Sequence, residues 1–206
     1  MGRIVVSENV TLDGVVEDPT GEEGSAHGGW FLRMTDADRE AWAAVGHAEA
    51  RDAAALLVGR RSDASFAGRW ASRTGAWADR LNGMPRYVVS ATLSEPRWRP
   101  GTVLAGEVVA EVSALRRRVE GDIVVYGSIR LVGTLLAHDL VDELRLTVHP
   151  VVAGAGTRLG EGTDRARPWR LVETRALGTG LALLTYRPDR TAGGFELSHS
   201  SPPVST

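Results

Sequence analysis

The chain opens on a β-branched run, Ile4, Val5 and Val6, set in a stretch, residues 3–10, that suits a buried strand. Apolar runs of strand length follow at 54–58, 86–90, 123–126 and 143–151, with a shorter one at Val103 and Leu104. Between them the spacing changes. Ala41, Val45, Ala48, Ala53 and Leu56 recur at roughly helical intervals, with charges between them, so 35–55 has the marks of a helix. Thr35, with Asp38 three residues on, resembles a capping box and sets where that helix begins. Shorter helices are expected after residue 62, over 110–119, and from the turn at Gly127-Ser128 to about His138. Residues 169–177 and 181–187 read as strands joined by Gly178-Thr179-Gly180, a hairpin. Strands alternating with helices and finishing in a hairpin predict a mostly parallel α/β sheet with antiparallel additions at one edge.

Glycine and proline punctuate the pattern. Asp13-Gly14, Pro19, Gly21, Gly24 and Gly28-Gly29 forbid long regular structure after the first strand, leaving a mobile lid or a plain surface connection. Trp30 and Phe31 end that loop with two large rings that want burial or a flat ligand. Phe66, Trp70 and Trp77 fall in a Gly- and Ser-containing segment that reads as a connection. From Pro188 onward the chain is polar with little to bury, so a single domain over 1–187 and a disordered tail over 188–206 are expected.

Composition narrows the function classes. The net charge of −2 gives no pull towards nucleic acid or an anionic membrane. All 24 basic residues counted as Lys or Arg are arginine, which excludes a Schiff-base lysine and a P-loop lysine. With no cysteine there is no disulfide, thiolate nucleophile or cysteine zinc site. The five histidines show no ligand spacing, so no metal is expected, and His149 before Pro150 reads as structural. No apolar run reaches the length of a membrane span and the N-terminus lacks a signal peptide's pattern. The expectation is a soluble cytoplasmic protein with a small-molecule substrate and neither nucleic acid nor membrane as a partner.

Three predicted strand ends carry turns suited to an anion. The first, Gly59-Arg60-Arg61-Ser62, places two guanidinium groups and a hydroxyl that can cap the next helix at a strand-to-helix junction. Arginine's planar fork can bond two phosphate oxygens at once, and free cations at a helix start are otherwise mildly unfavourable. Ser90-Ala91-Thr92 forms a hydroxyl-rich turn. Gly127-Ser128-Ile129-Arg130 opens a helix whose free amides and positive end point the same way. Ligands of open α/β sheets sit beyond the carboxyl ends of the strands, so three such ends are expected to converge. No GxGxxG opens the chain, which argues against a Rossmann domain. Glu40, Glu49 and Asp52 on the first helix read as solvent-facing.

These motifs resemble the dihydrofolate-reductase-like superfamily, and more closely the riboflavin-biosynthesis reductase domain family in its stand-alone bacterial branch. The resemblance is carried by TLDG (11–14), LLVGRRSDASFAGRW (56–70), YVVSATL (87–93), YGSIRLVGTLL (126–136) and VDELRLTVHPVVAGAGTRL (141–159). It implies a three-layer sandwich, a central mostly parallel mixed sheet with helices on both faces, that binds NADPH and pairs as a homodimer through its late strands. It implies that Gly59, Arg60, Arg61 and Ser62 bind the adenosine 2′-phosphate and pyrophosphate. Ser90, Ala91 and Thr92 would contact the same 2′-phosphate; Gly127, Ser128 and Ile129 would hold the pyrophosphate, with Arg130 near the 2′-phosphate. The Asp13-Gly14 loop would cover the nicotinamide, with Trp30, Phe66 and Tyr126 lining the substrate pocket.

The expected function is hydride transfer from NADPH to a C=N or C=O bond of a small pterin-like, pyrimidine-like or sugar-bearing substrate. Asp13 is the acid candidate, its alternative being a turn residue. Two departures matter. The family's usual GRxTY is Gly59-Arg60-Arg61-Ser62-Asp63 here, and Tyr126 stands where riboflavin-pathway reductases often have glutamate. A catalytically silent NADPH-binding module, or a true dihydrofolate or riboflavin-pathway reductase, stands as the alternative.

Overall fold

The computed structural model describes residues 1–191 of the chain. Eight strands form one sheet: β1 (Arg3–Thr11), β2 (Ala55–Gly59), β3 (Arg86–Val89), β4 (Thr102–Leu104), β5 (Asp122–Tyr126), β6 (Glu143–His149), β7 (Trp169–Leu177) and β8 (Leu181–Pro188). Their order is β4-β3-β2-β5-β1-β6-β8-β7. Pairing is parallel from β4 through to β6 and antiparallel at β6–β8 and β7–β8. This is the mostly parallel sheet with an antiparallel edge that the sequence predicts, closed by the expected hairpin.

The helices are α1 (Asp36–Asp52), α2 (Arg60–Trp70), α3 (Ala76–Gly83), α4 (Val108–Arg118) and α5 (Ile129–Ala137). The α1 start carries the full capping box, Thr35 bonded from the Asp38 amide and Asp38 from the Thr35 amide. Glu107 caps α4 by accepting from Val109 and Ala110, and three arginines close its last turn against the negative helix end. Alternation along the central strands divides the core. Ile4, Val6, Leu57, Ile123 and Val125 face α4 and α5, whereas Leu56, Val58, Val88 and Val124 face the side of α1–α3. Helices on both faces make the three layers.

Residues 60–83 correct the sequence reading. Phe66, Trp70 and Trp77 lie on α2 and α3 rather than in a connection, and pack against the second core. Helical packing overrides the low propensity of Gly68 and the serines. Ser62 is not the cap of α2: the helix begins at Arg60 with Gly59 in the capping position. At the other end Pro188 closes β8, and the Asp189 amide donates to Pro168 O at 3.0 Å. The rest of the proposed tail, 192–206, lies outside the described residues.

Candidate active site

The site begins where two strands part. β1 and β5 pair from Arg3–Asp122 to Ser7–Tyr126; β5 then turns at Gly127, while β1 continues beside β6 as far as Thr11–His149. The gap beyond Ser7 opens into a cavity of about 830 Å³ that spans both faces of the sheet. Its walls bring together Gly59, Arg60, Arg61 and Ser62, Phe66 and Tyr126, and Gly127, Ser128, Ile129 and Arg130. These are two of the three predicted strand ends, joined directly: the Gly59 amide donates to Ser128 Oγ at 2.9 Å. Gly127 has φ +57°, and a Cβ there would meet Ser62 Oγ at 3.3 Å. Glycine is thus required both by conformation and by the close approach of α2.

The third strand end joins at the outer rim. Thr92 Oγ1 accepts from Arg60 at 3.3 Å, and Ser90 Oγ accepts from the Thr92 and Leu93 amides, shaping the turn. Beside it a hollow of about 280 Å³ is lined by Arg60, Arg61, Ala64, Leu93 and Arg97. Arg97 was not apparent from the sequence. It is placed by Asp63, whose buried carboxylate accepts from the Arg97 and Trp98 amides at 2.6 and 3.2 Å. Arg86 steadies the same loop: it donates to the carbonyls of Trp98, Pro100 and Leu81 and stacks on the Trp98 ring at 3.6 Å. The departure at Asp63 therefore exchanges a ring for a carboxylate that anchors a third arginine. Arg130 lines the main cavity and not this hollow. Ala91 is exposed and lines neither.

Asp13 and Trp30 are placed differently from the sequence expectation. The Asp13 carboxylate accepts from Thr11 Oγ1, the Ala153 amide and the Gly154 amide at 2.7, 3.0 and 2.8 Å, and faces Arg158. Those bonds hold it well below the usual aspartate range, led by the Thr11 hydroxyl. It clasps the first loop to the glycine-rich 151–160 segment and does not line the cavity. Glu17 adds a second clasp through the Thr157 amide and hydroxyl, both at 2.7 Å. Trp30 is buried under the loop, donating to Glu17 O and packed edge-on against His149. The cavity wall nearby is Val16, Asp18, Pro19 and Thr20 instead, and Arg69 from α2 reaches across to Thr20 and Glu22 at 2.9 and 2.8 Å.

The inner wall holds titratable groups that the sequence reading missed. Glu49 is not solvent-facing: it accepts from Ser7 Oγ at 2.9 Å and Arg145 at 3.3 Å, and burial raises its pKa. The Tyr126 hydroxyl is buried close to Glu49, and its pKa is raised by burial and by Glu49. Glu8 is 8% exposed, lines the cavity, and its Oε1 has no partner among the described residues. A carboxylate next to the β-branched run of β1 was the one visible signal for Glu8. Nothing local marked Glu49 or Arg97. Among the described residues no group of histidines, aspartates and glutamates is arranged to hold a metal ion.

A three-layer sandwich whose cavity opens between parting central strands, with a glycine turn and arginine-bearing helix start at its rim, has the dihydrofolate-reductase-like fold. The chain belongs to the RibD C-terminal domain family, whose model matches residues 3–183. It is 30% identical over 106 residues to the uncharacterized protein YyaP of Bacillus subtilis (strain 168), a stretch that is 52% of this chain and 56% of that protein. In structure it resembles a protein named for riboflavin biosynthesis from Shewanella sp. PV-4 (TM-score 0.67, 16% identity, 91% of this chain and 99% of that one). It also resembles a diaminohydroxyphosphoribosylaminopyrimidine deaminase/5-amino-6-(5-phosphoribosylamino)uracil reductase from Thermotoga maritima (0.64, 15%, 91% and 57%). A third similar structure is Enterococcus faecalis dihydrofolate reductase in complex with NADP(H) and RAB-propyl (0.57, 15%, 91% and 96%).

Proposed function

We propose that the protein is an NADPH-dependent reductase that adds hydride to a C=N or C=O bond of a small, flat substrate. The observation that carries this reading is that Arg60, Arg61 and Arg97 line one hollow beside the Thr92 hydroxyl, with Arg60 and Arg61 also lining the main cavity. Three arginines with no acidic residue among their fellow lining residues suit a phosphomonoester dianion, the group that distinguishes NADPH from NADH. Gly127, Ser128 and Ile129 at the start of α5 fit a pyrophosphate: Gly127 brings backbone close, and the helix end supplies unpaired amides. Bound there, NADPH supplies the hydride, so the protein's task is alignment, exclusion of water and delivery of a proton.

Phe66, Trp70 and Trp77 from α2 and α3 join Phe31 and Trp42 in making the cavity's inner side aromatic, which suits a flat ring. Tyr126 and Glu49 put polar groups within that wall. The cytoplasmic location and the homodimer expected from the sequence belong to the same proposal. Cofactor choice tests it directly. Arg60→Ala removes a charged hydrogen-bond donor, a loss of roughly 1.5–3 kcal/mol, or about ten- to a hundredfold in affinity. Fluorescence titration should show that loss for NADPH and almost none for NADH; equal losses would mean that Arg60 does not read the 2′-phosphate.

A further inference from the structure

Resting on the reductase reading, we propose that Glu8, in the gap between β1 and β5, is the acid that protonates the substrate. Three features of its position support the role. First, alternation along β1 sends Ser7 to Glu49 and Asn9 to Trp42 and His149 on one face, so Glu8 points to the other, beside Leu146 on β6 and α5. Second, Glu8 lies just past the last β1–β5 pair, Ser7–Tyr126, in the wall that also holds Gly127–Arg130. Third, it is more than nine-tenths buried, and its Oε1 has no hydrogen-bond partner among the described residues.

A buried carboxyl without a partner costs stability that a structural role would have removed, as it has for Asp13, Asp38 and Asp63. Burial alone raises its pKa to about 8, so the group carries its proton at neutral pH. The charged groups on the surrounding elements are Arg130 on α5, Asp18 on the covering loop, and Glu49 and Arg145 across the sheet. Of these, Asp18 is occupied by the Glu23 and Ser25 amides, and Glu49 and Arg145 bind each other.

In the proposed step Glu8 gives its proton to the nitrogen or oxygen of the double bond as the carbon accepts hydride. The π bond breaks, one C–H and one N–H or O–H bond form, NADPH is oxidised to NADP⁺, and the Glu8 carboxylate recovers a proton from water. An acid poised near the working pH is the form general-acid catalysis favours. Asp13, ionised and committed to backbone amides, is unsuited to it.

The test uses the full chain and Glu8→Gln. Infrared difference spectra of parent against variant should show a protonated carboxyl at pH 7 that titrates near pH 8, and a Glu8 already ionised at pH 7 would overturn the proposal. NADPH affinity, followed by fluorescence, should be unchanged in the variant. If the parent itself does not bind NADPH, the reductase reading fails, and the Glu8 assignment with it. With a panel of cyclic imines and keto compounds, NADPH oxidation by Glu8→Gln should fall about a hundredfold or more in kcat with little change in KM. Equal turnover would also overturn the assignment. If no panel compound reacts, the infrared result still decides whether Glu8 holds a proton to give.

Discussion

Asp13 and Glu8 sit five residues apart in sequence and show how environment divides two carboxyl groups. Asp13 is surrounded by donors that favour its charged form; burial favours the neutral form of Glu8. The two have opposite consequences for stability. Asp13 has a lowered pKa in the folded protein, so its contribution is present above the ordinary aspartate value and lost as the pH falls through the folded one. Asp13→Ala should therefore lower Tm at pH 7, and the gap to the parent should narrow as the pH is taken well below 4. Glu8 has a raised pKa, so the folded state holds a proton that the unfolded state has released. The parent should lose stability as pH rises from about 4.5 towards about 8, and Glu8→Gln should not show that loss. Thermal unfolding at a series of pH values measures both; parallel curves for parent and Glu8→Gln would contradict the assigned environment.

At the scale of elements, two glycines with similar φ do different work. Gly127 lies between β5 and α5 with its Cβ position facing Ser62 on α2, at the place proposed for the pyrophosphate. Gly127→Val forces a β-branched residue to φ +57°, a strain of about 1–3 kcal/mol, and pushes on Ser62. It should abolish NADPH binding while the core still folds. Gly178, at φ +60° in the β7–β8 turn, is pressed against the start of α1: a Cβ would lie 2.3 Å from Asp38 Oδ1 and 2.7 Å from its Cα. The same Asp38 carboxylate accepts from the Thr179 and Gly180 amides at 2.6 and 3.0 Å and ties the hairpin to the helix. Gly178→Ala should cost more than about 1 kcal/mol of stability and leave NADPH affinity nearly intact. Denaturant titration and cofactor titration of the two variants separate the effects; a Gly127→Val protein that binds NADPH like the parent would place the pyrophosphate elsewhere.

For the whole molecule, the last strands form the antiparallel end of the sheet. β7 is the edge of the sheet and almost wholly exposed, with Leu171 at 51% and Val172 at 41%, and a bulge between Leu171 and Glu173 breaks its register with β8. Exposed apolar residues on an edge strand are a surface that a second copy can cover. We expect a dimer mass in light scattering, and Leu171→Arg should shift it towards the monomer. A monomer mass for the parent over a wide concentration range would remove the dimer.

Local pattern determined much of this protein. Strand runs, the α1 capping box, the β7–β8 hairpin and the glycine turn at Gly127 are visible because each depends on neighbours within a few residues. The segments at 59–62, 90–92 and 127–130, proposed to bind phosphate, are visible for the same reason, since strand ends and helix starts carry their own chemistry. Only the tertiary structure decided what those segments face. It turned residues 60–83 into two helices because packing of Phe66, Trp70 and Trp77 outweighs glycine and serine propensity. It moved Asp13 out of the cavity because segment 151–160, some 140 residues later, supplies the amides that claim it. It brought Arg97 to the hollow beside Arg60 and Arg61 through Asp63, and Glu49 to Arg145 and Ser7. Glu8, whose Oε1 has no partner among the described residues, is buried where β5 leaves β1, a property of the assembled sheet.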